Sequence, residues 1–161
     1  MTYSWNNTNS TSATSTPFTW SFPAIQSITV EMDATQKYQT IAKEFIERYT
    51  TSSSLSIAAT DQYYNTDSLF TIHVHQNVNH HLYEMVGHTN FKNKMSEISI
   101  TTMKYHGLTY TSQPVGKNGV LISMNGKAEI NNTNYSILST FMIKMSGTNG
   151  KIINQVLEIF I

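Results

Sequence analysis

The chain has no cysteine, which removes disulfide frameworks, thiolate nucleophiles and thiolate metal sites in one step. Charge is also scarce. Only 12% of the 161 residues are charged, ten basic against ten acidic, so no broad field exists to draw in nucleic acid or an anionic membrane surface. No stretch approaches the roughly 18 consecutive apolar residues of a membrane span, and the first residues show no basic region followed by an apolar run. The expectation is a protein of the nucleus or cytoplasm with no membrane and no sequence-specific nucleic-acid contact. The Asn-x-Ser/Thr triplets at Asn6, Asn9, Asn131 and Asn134 arise by chance in so Asn-, Ser- and Thr-rich a chain.

What is present suits one domain preceded by a tail. Residues 1–16, MTYSWNNTNSTSATST, are low-complexity and polar, a composition that cannot offset the entropy of ordering. Residues 1–24 are therefore expected to form a largely disordered tail, and 25–161 the folded domain. Within the tail Phe18, Trp20 and Phe22 alternate with polar residues. They read either as an arm laid over the domain or as a linear motif offered to a partner.

Asp33–Tyr49 carries the clearest helical pattern. Asp33 has N-cap character with Gln36 three residues on, and Tyr38, Ile41, Ala42, Phe45 and Tyr49 recur at helical spacing. A second, shorter helix is expected over Leu55–Tyr64 with Leu55, Ala58, Ala59 and Tyr63 inward. The period then changes to two. Leu69–His75 reads as a strand, Asn77–Asn79 as a turn, and Leu82–Val86 as the hairpin partner. Gly87 breaks that run, and a third helix to Ile98 follows with Phe91, Met95 and Ile98 inward. Ser99–Ser112, Gly119–Ile130, Tyr135–Met145 and Lys151–Ile161 then read as four long strands, joined by links too short for parallel crossovers. On the second, Val120, Ile122, Met124, Gly126, Ala128 and Ile130 form one face; on the third, Tyr135, Ile137, Ser139, Phe141, Ile143 and Met145 do so. The last strands carry apolar residues on both faces. One face can cover the helices; the other is left for a second chain.

This order of elements, with several local strings, resembles the nuclear transport factor 2-like family. The strings are Tyr64-Asn-Thr-Asp-Ser68-Leu-Phe-Thr ahead of the first strand, Gly87 with Phe91 and the helix to Ile98, Gln113-Pro114, Asn125-Gly126, Ser139–Ile143 and the terminal strand. The resemblance covers roughly residues 33–161. It implies an α+β fold, a cone-shaped, strongly curved antiparallel sheet wrapped around three helices, the cystatin-like α+β roll. It also implies two functional classes, enzymes with a pocket inside the cone and non-enzymes that pair through the outer sheet face. For an isomerase- or dehydratase-like enzyme or small-molecule binder, His106, Tyr63 and Asp67 are the catalytic candidates. Acidic residues that serve Ran recognition in transport factor 2 are reduced to Glu129 in Lys127–Asn132, and Asn154–Glu158 keeps only the asparagine of the family's terminal pattern. Ran import is therefore not expected.

His73-Val74-His75 invites a metal, since residues two apart on a strand share a face about 7 Å from each other. A third ligand would have to come from His80, His81 or His88, nearby in sequence. With Asn-rich surroundings and Glu84 as the one nearby carboxylate, the plain reading is a solvated hairpin; no metal and no cofactor are expected. The expectation drawn from the resemblance is a non-enzymatic dimerisation and transport module. Its closest type is the small subunit of a nuclear mRNA export heterodimer, working at the nuclear envelope and between nucleus and cytoplasm. Its partners would be another nuclear transport factor 2-like domain, as homo- or heterodimer, and Phe-Gly nucleoporins. A scaffold in a ribonucleoprotein complex would share these features. The partner-binding candidates are Leu138, Met142, Ile153, Gln155 and Leu157.

Overall fold

A computed structural model describes residues 25–146 and 149–161, with side chains in the first helix described from Lys37 onward. The proposed tail and its Phe18, Trp20 and Phe22 lie outside the described residues. The first helix, α1, runs Ile25–Leu55, a 3₁₀ helix follows over Ile57–Tyr63, and α2 is His88–Glu97. The strands are β1 Tyr64–Gln76, β2 Asn79–Val86, β3 Lys104–Val115, β4 Gly119–Ile130, β5 Thr133–Ser146 and β6 Asn149–Phe160. No helix of the described residues is long and apolar enough to cross a membrane.

Helix α1 is longer than its apolar pattern suggests at both ends. It begins at Ile25, so Asp33 lies inside it and is not its cap. It also continues past Tyr49 through the polar residues Thr50–Ser54, where the apolar pattern ends. The hydroxyl of Thr50 donates to the Ile46 carbonyl at 2.8 Å, Thr51 to Glu47 at 2.7 Å, Ser53 to Thr50 at 3.1 Å and Ser54 to Thr51 at 2.7 Å. Side chains that compete with helix elsewhere here fold back on its last carbonyls. Ser56 then caps the 3₁₀ helix, its hydroxyl accepting from Ala59 N–H at 3.0 Å. That short element turns Ile57 and Thr60 inward, while Leu55 and Ala58, expected inside, face solvent. A 3.0-residue period in place of 3.6 rotates the buried set.

The six strands form one sheet in the order β2-β1-β6-β5-β4-β3. The run β3 to β6 is an antiparallel meander, as expected, and β1–β2 is the expected hairpin. One pairing departs from the antiparallel expectation: β1 and β6 are parallel, so the sheet is mixed. The whole domain serves as their crossover, which short links between successive strands could not reveal. Residues 99–103 are not strand, because their backbone is tied to the helices: Ile57 N–H donates to Thr101 C=O at 2.8 Å and Met103 N–H to Ser53 C=O at 3.1 Å.

The core lies between α1 and the concave face of the sheet. Ala42, Phe45, Ile46 and Tyr49 share one buried cluster with Ile122, Met124, Ile137, Phe141, Ile143 and Leu157, to which α2 adds Phe91 and Met95. The expected inner faces of β4 and β5 are the observed ones, with Val120, Ile122, Met124, Ala128 and Ile130, then Ile137, Ser139, Phe141 and Ile143, all buried.

Strand β6 breaks its alternation. Met142 pairs with Asn154 but Ile143 pairs with Ile152, so Ile153 is an extra residue, a bulge. Ile152 therefore shares the inner face with Gln155, Leu157 and Ile159, whereas Val156 and Glu158 point outward.

Candidate functional site: the outer face of the sheet

Strand register arranges the outward side chains into rows that cross the sheet. One row reads Leu121, Met142, Asn154 and Leu69; the next Ser123, Thr140, Val156 and Thr71; the next Asn125, Leu138, Glu158 and His73. Leu121, Leu138, Met142 and Val156 form the apolar centre, each half-buried by its neighbours. Ser123 and Thr140 face each other across β4 and β5, their hydroxyls 3.2 Å apart. Leu69, Leu82 and Phe160 extend the apolar surface towards β2, with 49%, 58% and 42% of their areas exposed. The face combines apolar area with satisfied hydroxyls and few charges, the composition of the centre of a protein interface.

Of the five partner-binding candidates, the structure places Leu138 and Met142 at the centre of this face and Ile153 at the bulge, 39% exposed. Gln155 and Leu157, each 1% exposed, belong to the core and cannot meet a partner. The cause is the Ile153 bulge, which moves every following residue of β6 to the face opposite that set by strict alternation. Leu121 and Val156 take their place. Alternation on β4 against its buried set already marks Leu121; Val156 becomes visible only once the bulge is known.

Inside the cone, aromatic rings fill the space. Phe45, Tyr49 and Phe141 pack with centroids 5.0–5.7 Å apart, and Phe70 stacks on Phe91 at 4.4 Å. The buried polar groups among them bond to one another. Tyr49 and Tyr64 hydroxyls lie 2.9 Å apart, Tyr64 donates to Gln155 Oε1 at 2.5 Å, and Gln155 Nε2 donates to Tyr49 Oη and Ser139 Oγ, each at 3.2 Å. Burial holds both tyrosines above the usual phenol range, Tyr64 well above it, so they serve at neutral pH as hydrogen-bonding groups.

The three enzyme candidates stand apart. Tyr63 stacks edge-on against Phe45 and Tyr49, with its hydroxyl 3.2 Å from Ser52 Oγ, and lines a cleft of about 340 Å³ with Ile41, Glu44 and Arg48. His106 borders a different, shallow depression with Gly126 and Lys127 on the far edge of the sheet. Asp67 is exposed at the start of β1 and borders neither. An acid–base pair needs hydrogen-bond reach to a common substrate, which this arrangement does not provide.

The buried histidine is one that the sequence offered only as a possible third ligand beside His73 and His75. His88, at the start of α2, stacks on Tyr64 at 4.9 Å, with Nδ1 2.8 Å from Asp61 Oδ1 and Nε2 3.1 Å from Thr60 Oγ1. Burial outweighs the Asp61 carboxylate and holds its pKa below the usual imidazole value.

The fold of a six-stranded sheet around α1, closed at one end by α2, has solved counterparts. Nuclear transport factor 2 (Ntf2) of Cryptosporidium parvum superposes with a TM-score of 0.62 at 19% identity, covering 76% of this chain and 94% of that one. The fold is that of the nuclear transport factor 2-like domains. A chain of the C. albicans Mtr2-Mex67 M domain complex is similar to the same extent, with a TM-score of 0.61, 12% identity, and 76% and 94% coverage. The fold also occurs in a putative ketosteroid isomerase of Parabacteroides distasonis, at a TM-score of 0.50 and 12% identity, over 71% of this chain and 82% of that one. No family model matches the sequence. An uncharacterized protein of Acanthamoeba polyphaga mimivirus is 22% identical over 140 residues, 84% of this chain and 71% of that protein. The nuclear transport factor 2-like fold thus spans transport and enzyme-type proteins, and the residues of the two faces must decide between them.

Proposed function

We propose that this chain is a non-enzymatic pairing module whose outer sheet face docks a second nuclear transport factor 2-like domain. The observation that carries the reading is the apolar centre formed by Leu121, Leu138, Met142 and Val156 on a sheet face with no cover from the described residues of the chain. A cone interior packed with aromatic rings and self-satisfied polar groups supports it from the other side. So does the similarity to a chain of a complex between Mtr2 and the Mex67 M domain. Within this class the chain acts as the small subunit of a nuclear mRNA export heterodimer, stabilising a larger receptor and meeting Phe-Gly repeats at the nuclear pore. Its place is then the nuclear envelope, nucleus and cytoplasm.

The test is sedimentation equilibrium of the purified chain, followed by affinity capture from cells with identification of bound chains. Self-association, or capture of a chain with the same fold, is expected, and Met142→Glu weakens either one. A monomer at high concentration that captures no such chain and ignores Met142→Glu overturns the proposal. Turnover of a small-molecule substrate lost on Tyr63→Phe would instead place the chain with the enzymes of this fold.

A further inference from the structure

The hairpin read from sequence as merely solvated brings three imidazoles together. His75 on β1 and His80 on β2 are directly paired across the hairpin, and His73 lies two residues away on the same outer face. One ring nitrogen from each of the three falls within 4.8 Å of the others. The hairpin itself fixes this register: its two-residue turn, Asn77-Val78, has Asn77 at φ 53°, the left-handed conformation that tight hairpin turns require.

His75 is held from two further sides. Its ring stacks on Phe160 of β6, with centroids 4.4 Å apart and planes 8° from parallel. Its Nε2 lies 3.0 Å from Glu158 Oε2, also on β6. A carboxylate only accepts, so Nε2 carries the proton and Nδ1 of the neutral ring presents its lone pair. That lone pair is directed at His80 Nδ1, 3.1 Å away. Two nitrogens at this distance share one proton or one metal ion. Metal–nitrogen bonds of about 2.0–2.1 Å in a tetrahedron place ligand nitrogens about 3.3 Å apart, close to the observed separation. A carboxylate that holds the far nitrogen of a ligating imidazole is the usual second support of zinc-binding histidines.

We propose that His73, His75 and His80 form a binding site for a divalent first-row transition ion of the zinc type, with Glu158 as the residue that positions His75. Three neutral imidazoles suit zinc, cobalt, nickel and copper, and do not suit magnesium or calcium, which take oxygen ligands. Three protein ligands leave one tetrahedral position for water or for a donor from a docked chain. His81 is the built-in control: it pairs with buried Val74 and so faces away from the cluster.

The experiment is titration calorimetry of zinc chloride into the tag-free, chelator-treated full chain, with the visible absorption of the cobalt complex as a second readout. One ion per chain is expected, with a four-coordinate cobalt spectrum. His80→Ala and His73→Ala remove tight binding, Glu158→Gln weakens it about 10- to 100-fold, and His81→Ala changes nothing. Both His80 and His81 are exposed, so these variants keep the fold, which far-ultraviolet circular dichroism checks. Zinc should raise the unfolding temperature of the parent chain and not that of His80→Ala. Binding only at millimolar zinc, or equal affinity in the parent chain, His80→Ala and His73→Ala, overturns the site and leaves adventitious histidine contacts.

Discussion

Tyr64 and Gln155, 91 positions apart, meet through a 2.5 Å hydrogen bond in the interior of the cone, and each also bonds to Tyr49 of α1. The first residue of β1, the middle of β6 and the long helix are thereby locked at one buried point. All three groups find partners, so desolvation is compensated.

Removing one partner exposes the cost of that arrangement. Tyr64→Phe leaves Gln155 Oε1 with only the longer Tyr49 contact at 3.4 Å, and should destabilise the fold by about 1–3 kcal/mol. Urea unfolding followed by circular dichroism measures it. A midpoint equal to that of the parent chain would mean that the ring, and not the hydroxyl, carries the role of Tyr64.

The two faces of β6 make opposite predictions for the same chemical change. Leu157→Glu places a carboxylate beside Ile72 and Ser139 in the core, where an unpaired charge costs several kcal/mol, and the chain should fail to fold. Met142→Glu places one on the outer face beside Leu121 and Asn154. It should keep the parent circular dichroism spectrum and weaken association by at least about tenfold, the effect of 1.4 kcal/mol at an interface. A folded Leu157→Glu chain would show that the bulge at Ile153 is misplaced.

That pair of residues also marks how far the sequence could be read. Uninterrupted alternation on β4 and β5 exposes their inner faces directly, because Val120–Ile130 and Ile137–Ile143 keep a strict period of two. Ile153 in β6 adds one residue without any Gly, Pro or polar signal, and each assignment after it changes face. The helical stripe Tyr38–Tyr49 was legible, whereas the continuation of α1 depends on hydroxyls that bond backward only once the helix exists. The histidine cluster was visible as His73 and His75 with three possible third ligands, but hairpin register is what selects His80 from them, and the parallel β1–β6 pairing is what brings in Glu158. Long-range pairing, unlike periodicity, leaves little local trace.

His88 gives the stability a pH dependence of defined sign. Its folded pKa lies below the ordinary value of about 6.5, so the unfolded chain binds a proton more readily near that pH. Its contribution is complete above about pH 6.5 and is lost as pH falls through the lower, folded pKa. Urea midpoints across mildly acid pH should rise with pH in the parent chain and rise less in His88→Gln. Equal slopes in the two proteins would show that the other histidines carry the dependence.

The start of β1 bends because of one hydroxyl and one glycine, and the two can be separated. Ser68 Oγ accepts from Asn65 N–H at 2.8 Å and donates to Ile152 C=O at 2.6 Å, bridging the stretch where the β1–β6 register shifts between Tyr64 and Leu69. The Ser68 carbonyl in turn accepts from Gly87 N–H at 2.8 Å, which ties the bend to the start of α2. Gly87 has φ +82° and ψ 144°, a conformation all but closed to other residues, and a Cβ there would lie 2.8 Å from the Thr66 carbonyl oxygen. Ser68→Ala should therefore cost about 1–3 kcal/mol by leaving buried groups unpaired. Gly87→Ala should cost on the order of 2 kcal/mol or more through strain and the close approach to backbone. Because Asn65, Ser68 and Gly87 share one hydrogen-bonded bend, the double variant should cost less than the two single changes added together. Thermal or urea unfolding of the three variants reads this directly, and full additivity would show that the bend is held at two independent points.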